Sequence, residues 1–192
     1  MTSRRFPGTE LTEWRSRILD RHPRLFPDAE PIRTDDGWAL SSAGWPAIPD
    51  GWRRVIEDLC RAIEQAVADE PAGEVVVYDM KEKYGSLQLH VSTAGLSGPA
   101  EDAVRLAVDL AEARSGHVCQ VCGQTGRLWD NHGWFATLCD RHGEGRPVPD
   151  GSDAGIEVTT RIVAGGVMQT ARRYDPDHHR FIAVPVPEDE KE

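Results

Sequence analysis

Four side chains stand out by type and spacing: Cys119, Cys122, Cys139 and His142. They read Cys-x2-Cys, sixteen intervening residues, then Cys-x2-His, all within residues 117–143. A tetrahedral zinc site needs four such donors, and each two-residue spacing lets one tight turn aim a pair of them at a single point. Gly123 and Gly143 follow the two pairs, where a turn wrapping its amides around sulfur calls for a permissive residue. Ordinary buried thiols beside a histidine would not need two matched half-sites. The pattern therefore predicts one structural Zn2+ held by Cys119, Cys122, Cys139 and His142. His132 and His117 compete for the fourth place. With three protein ligands the ion would keep an open position, and Asp130 would be the neighbour able to activate water there.

The rest of the composition narrows the class. The chain has 192 residues, 39% of them apolar, enough for a packed core. A net charge of −10 argues against a general nucleic-acid or membrane-surface binder and is compatible with a basic protein partner. Three of the four cysteines belong to the metal pattern and only Cys60 is left over, so no disulfide framework is expected and a reducing compartment is the simpler reading. The charged start lacks the apolar stretch of a signal peptide, and no run is long enough to cross a bilayer. The expected location is cytoplasmic.

The donors have to be positioned by ordered elements, and the chain supplies them in four stretches. Residues 1–48 hold a short helix over 11–20, with Thr9 or Thr12 as cap, and then a Pro/Gly/Asp-rich loop. Trp38, Trp45 and Trp52 are spaced along that loop and read as cover for a small core in preference to a ligand platform. Residues 49–116 form a helix–hairpin–helix core. Its first helix starts at Asp50 as N-cap and carries the stripe Trp52, Val55, Ile56, Leu59, Cys60, Ile63 and Val67. A hairpin follows, with strands 74–80 and 86–92, a slightly long connection, and Gly85 in the turn. By alternation His90 falls on the polar face. Ser97, Gly98 and Pro99 open the second helix, which runs almost directly into the metal module at 117–146. The Pro- and Gly-rich stretch 144–155 reads as a connector, and residues 147–192 as the C-terminal region it leads into, a meander of strands at 156–163, 167–174 and 179–186 with the last at an edge, and a charged tail.

At KEKYGSLQLHV (81–91), and again from CQVCG to LCDRHG (119–143), the sequence resembles a set of uncharacterised phage and bacterial proteins. Their pattern is a helix, a "KEKFG-x-L" hairpin, a helix ending near "AE-x-x-S", and a Cys-x2-Cys…Cys-x2-Cys/His module. Here Lys81 to Leu87, Ala111 to Ser115 and Thr137 to His142 carry it, and the likeness covers roughly residues 50–143. It implies a shared fold, zinc binding and an association with phages or mobile elements, and brings no activity with it.

The module is also similar to the HNH, or treble-clef, nucleases. In those a histidine deprotonates water while an aspartate helps hold a divalent cation. The resemblance puts Asp130 and His132 in these roles, on one strand and facing the same side. The chain departs from the pattern after the second knuckle, where GEGRPVPDG replaces the helix that would bring further metal ligands. Over 113–146 four arginines meet three acids, a balance of +1 that would hold phosphates weakly.

These readings predict an α+β protein: two main helices packed on a β-hairpin, a zinc-knuckle module, and a C-terminal antiparallel meander. The expected function is a non-enzymatic, zinc-stabilised interaction module that binds a protein partner. The alternatives are an HNH-like nuclease acting through Asp130 and His132, or an immunity-type inhibitor of a basic toxin.

Overall fold

The computed structural model describes residues 11, 13–149, 156–163 and 166–187. Among these the fold is α+β, with three α-helices and four small antiparallel sheets. The core lies between two long helices and a hairpin. Helix α2 (Arg53–Ala66) follows a 3-10 turn at Asp50–Trp52. Its apolar residues recur every three or four places, so they line one side. Every member of the expected stripe, from Trp52 to Val67, is buried. Asp50 is not the N-cap: no side chain caps α2, and the Asp50 carboxylate accepts from the Trp14 indole at 2.9 Å and pairs with Arg15. The 3-10 turn starts the helical winding before α2, so that carboxylate is free to tie down the preceding helix.

That preceding helix, α1 (Trp14–Arg21), is capped by Glu13, whose side chain accepts from the amides of Arg15 and Ser16. Thr9 and Thr12 lie outside the described residues. The following stretch is not simply loop. Strands β1 (Glu30–Thr34) and β2 (Gly37–Ser41) form a hairpin around Asp35 and Asp36. Ser16 Oγ of α1 accepts the Leu40 amide, which fixes the hairpin to the helix. Trp52 is fully buried and Trp45 packs partly against the core, whereas Trp38 is 36% exposed. The core reading fits the first two tryptophans and fails for the third.

Strands β3 (Glu74–Lys83) and β4 (Ser86–Ala94) make the central hairpin. The connection is tighter than expected: Tyr84 and Gly85 alone turn the chain, with φ of 52° and 85°. A two-residue turn with two positive φ values matches the twist of the strands, so pairing continues to Lys83 and Ser86. An irregularity in register between Val77 and Asp79 shifts which residues face inward, so Val75, Val77 and Met80 are buried and Tyr78 faces solvent. His90 is exposed, as alternation indicates.

Helix α3 (Gly98–Ser115) is capped by Ser97, which accepts from the Ala100 amide, and has Pro99 in its first turn. It closes the other side of the core through Val104, Ala107, Val108 and Ala111. It also caps the outer edge of β4: Ser115 Oγ accepts the Leu87 amide at 2.7 Å and Glu112 Oε1 the Leu89 amide at 2.8 Å. Burial and the nearby carboxylates of Asp109 and Glu157 push the Glu112 carboxyl above its usual range, against the pull of the Leu89 amide. No described helix is long and apolar enough to cross a membrane.

Candidate metal centre

Strands β5 (Arg127–Asn131), β6 (Trp134–Leu138) and β7 (Arg146–Pro147) form a small sheet in the order β6-β5-β7 that carries two tight loops. In the first loop the Cys119 amide donates to Gln124 O and the Gly123 amide to Cys119 O. In the second, the amides of His142 and Gly143 both donate to Cys139 O. The two glycines serve different ends. Gly123 has φ of +73°, the left-handed conformation that side chains rarely adopt. Gly143 has no such φ and is small for space: a Cβ there would stand 2.2 Å from the Trp129 ring.

The loops bring all four expected donors together. Cys119, Cys122, Cys139 and His142 place their ligand atoms within 4.8 Å of one another. His142 Nδ1 is 3.5 Å from Cys119 Sγ and 3.3 Å from Cys139 Sγ, and Cys122 Sγ is 3.8 Å from Cys139 Sγ. A tetrahedral ion with bonds of ~2.3 Å to sulfur and ~2.0 Å to nitrogen requires edges of ~3.8 Å and ~3.5 Å. The donors therefore fit a four-coordinate metal ion. Neither His117 nor His132 belongs to the cluster; the His117 ring instead packs 5.5 Å from Tyr174.

The electrostatics favour thiolate where it is most enclosed. Burial works against charge on Cys119, but the amides of Cys122, Cys139 and Val121, together with His142, outweigh it and bring the thiol down to about 6. Cys122 is shifted the other way: the Gln124 amide favours its thiolate, while burial and the two neighbouring sulfurs disfavour a further negative charge. A cation among the donors would relieve that repulsion. Cys60 lies apart in α2, where burial pushes its thiol far up.

The centre is fastened to the core at three points. The Gly51 amide donates to Gln120 O at 2.8 Å, and a Cβ on Gly51 would meet Cys119 O at 2.1 Å. The buried Trp52 indole donates to Val118 O at 2.8 Å. From the hairpin side, Thr137 Oγ1 donates to Gly85 O at 2.6 Å.

Asp130 and His132 do not share a strand. Asp130 stays in β5, but His132 and Gly133 form the turn to β6, with φ of 54° and 88°. Leaving the strand at His132 removes the same-side placement that alternation predicts. The Asp130 carboxylate accepts from the Gly133 amide at 2.7 Å and from Arg146 at 3.0 Å. These two contacts hold its carboxyl below the usual range. The connector reading of 144–149 also needs correction, since Arg146 and Pro147 pair with β5 as β7. No sequence signal marked that strand; the Asp130–Arg146 pair that anchors it spans sixteen residues.

No family model, no curated protein and no solved structure matches the chain.

Proposed function

We propose that the chain is a non-enzymatic, zinc-stabilised interaction protein that binds a basic protein partner in a reducing compartment. The observation that carries the metal reading is the convergence of three thiols and one imidazole at tetrahedral distances. A soft, sulfur-rich, four-coordinate set suits Zn2+, and four protein ligands leave no open position for a reacting water. Zinc would tie the two loops together and contribute folding energy.

The binding role draws on the surface. The module presents Trp134 (80% exposed) and Val121, and Tyr84 stands exposed on the hairpin turn beside it. Exposed large apolar residues in an acidic protein suit contact with a basic partner. Metal analysis of the purified chain should give one zinc per chain, and Cys122→Ala should lose it; retained stoichiometry in the variant would remove the metal assignment. For the partner, Trp134→Ala should abolish a salt-sensitive complex recovered from the native host. Cleavage of plasmid DNA with added Mg2+, abolished by His132→Ala, would overturn the non-enzymatic reading.

A further inference from the structure

The C-terminal sheet runs β10-β9-β8, with β8 at Ile156–Val163, β9 at Gly166–Asp175 and β10 at Arg180–Val184. It realises the expected meander, and Asp175–Pro176–Asp177 lies in the second turn. Arg172 of β9 pairs with Asp109 of α3, which fixes the sheet to the helix. Where the end of β9 and the turn after it meet α2 and α3, the three elements border a cavity of about 150 Å³. Small side chains account for the space. On α3, Ala107, Ala111 and Arg114 stand at i, i+4 and i+7, and on α2 Ala62 stands one turn beyond Leu59. Each set lies on one helix face, so the two faces meet across alanines and leave room that larger residues would fill.

Polar side chains join these apolar walls: Asp58, Arg114, Tyr174 and His179 also line the cavity. Arg114 Nη1 donates to Asp58 Oδ2 at 2.6 Å, and Arg61 donates to the other oxygen, Oδ1. One carboxylate thus faces two guanidiniums, and the cluster keeps a positive charge. Arg114 Nε is buried and has no acceptor among the described residues. A buried charged donor is costly to leave unpaired, and a guanidinium edge can take a carboxylate through two parallel N–H···O bonds. Tyr174 Oη lies 2.8 Å from His179 Nδ1; with the imidazole donating, the hydroxyl keeps its own proton for a second acceptor. A cationic donor among apolar walls selects an anion with an apolar body. An apolar cavity of about this size takes up a single benzene ring, which bounds that body.

We propose that the cavity between α2, α3 and the end of β9 binds a small carboxylate whose apolar body is no larger than one ring, with Arg114 as its anchor. Benzoate serves as the probe, titrated into the full metal-loaded chain at neutral pH and followed by NMR through the Arg114 Nε–H signal. That signal should shift saturably in the millimolar range. Benzyl alcohol has the same ring without the charge and should bind about tenfold more weakly, since hydrogen bonds to charged groups are the stronger ones. Arg114→Gln should lower benzoate affinity by a similar factor and leave benzyl alcohol unchanged, read from the ligand signals. Ala107→Leu places a larger side chain in the cavity and should abolish binding of both probes, with circular dichroism and metal stoichiometry unaltered. No saturable shift, equal affinity for the two probes, or benzoate binding that persists in Ala107→Leu would overturn the assignment. If Arg114→Gln misfolds by circular dichroism, the probe comparison and Ala107→Leu decide.

Discussion

The helix–hairpin core and the metal module solve the same problem by different means. The core buries a contiguous set of large side chains, including Trp52, Ile56, Ile63, Met80 and Leu87. Burying such groups stabilises each by about 1.5–3 kcal/mol, and the loss of any one is shared among neighbours. The module, over residues 117–147, buries only Cys119, Thr137 and Leu138. About thirty residues with so few buried side chains hold their loops poorly by packing, and a metal cross-link through Cys119, Cys122, Cys139 and His142 is the means proposed for them. On that proposal the core tolerates local damage, while the module depends on one point.

The sharpest way to break this comparison is to withdraw the metal. Zinc sites of this type bind with about 10–16 kcal/mol of free energy coupled to folding. Chelation, or Cys122→Ala, should therefore expose the amides of 117–143 to hydrogen exchange while α2 keeps its protection. If α2 opens equally, the two regions are one cooperative unit. Next in size, Ile63→Ala should cost about 2–5 kcal/mol by urea denaturation, with metal stoichiometry unchanged. Loss of metal in that variant would place the module's support in the core.

Gly51→Ala tests the joint itself. Its new methyl would push into the Cys119 and Gln120 backbone, and overpacking of this kind costs about 1–3 kcal/mol. Unlike Ile63→Ala, it should also lower metal affinity in a competition titration. The smallest effect concerns Asp130, whose carboxyl is held below its usual 3.8 by the Gly133 amide and Arg146. A depressed folded value means its contribution is complete above the unfolded value and is lost as pH falls through the lowered one. Following the Gly133 amide by NMR should reveal that acidic midpoint, and Asp130→Asn should erase it.

Much of this contrast was legible in the chain. The α2 stripe, the opening of α3 at Ser97–Pro99, the Cys119–His142 spacing and the C-terminal meander are all local patterns, and each appears close to where it was read. What escaped the sequence depends on distant partners. Asp50 looks like a helix cap until Trp14 and Arg15 claim its carboxylate. β7 is two residues long and exists because β5 lies beside it. His132 breaks from the strand because His-Gly can adopt the positive φ values of a two-residue turn, a choice that alternation alone does not encode.

The hydroxyl of Ser115 and the carboxylate of Glu112 occupy two outward amides of β4. That arrangement makes α3 a bolt as well as a wall. With it drawn, a foreign strand cannot zip onto β4 along Leu87–Leu89, and fibrous growth is blocked at that border. Fragments ending before residue 97 would lack the bolt and should polymerise.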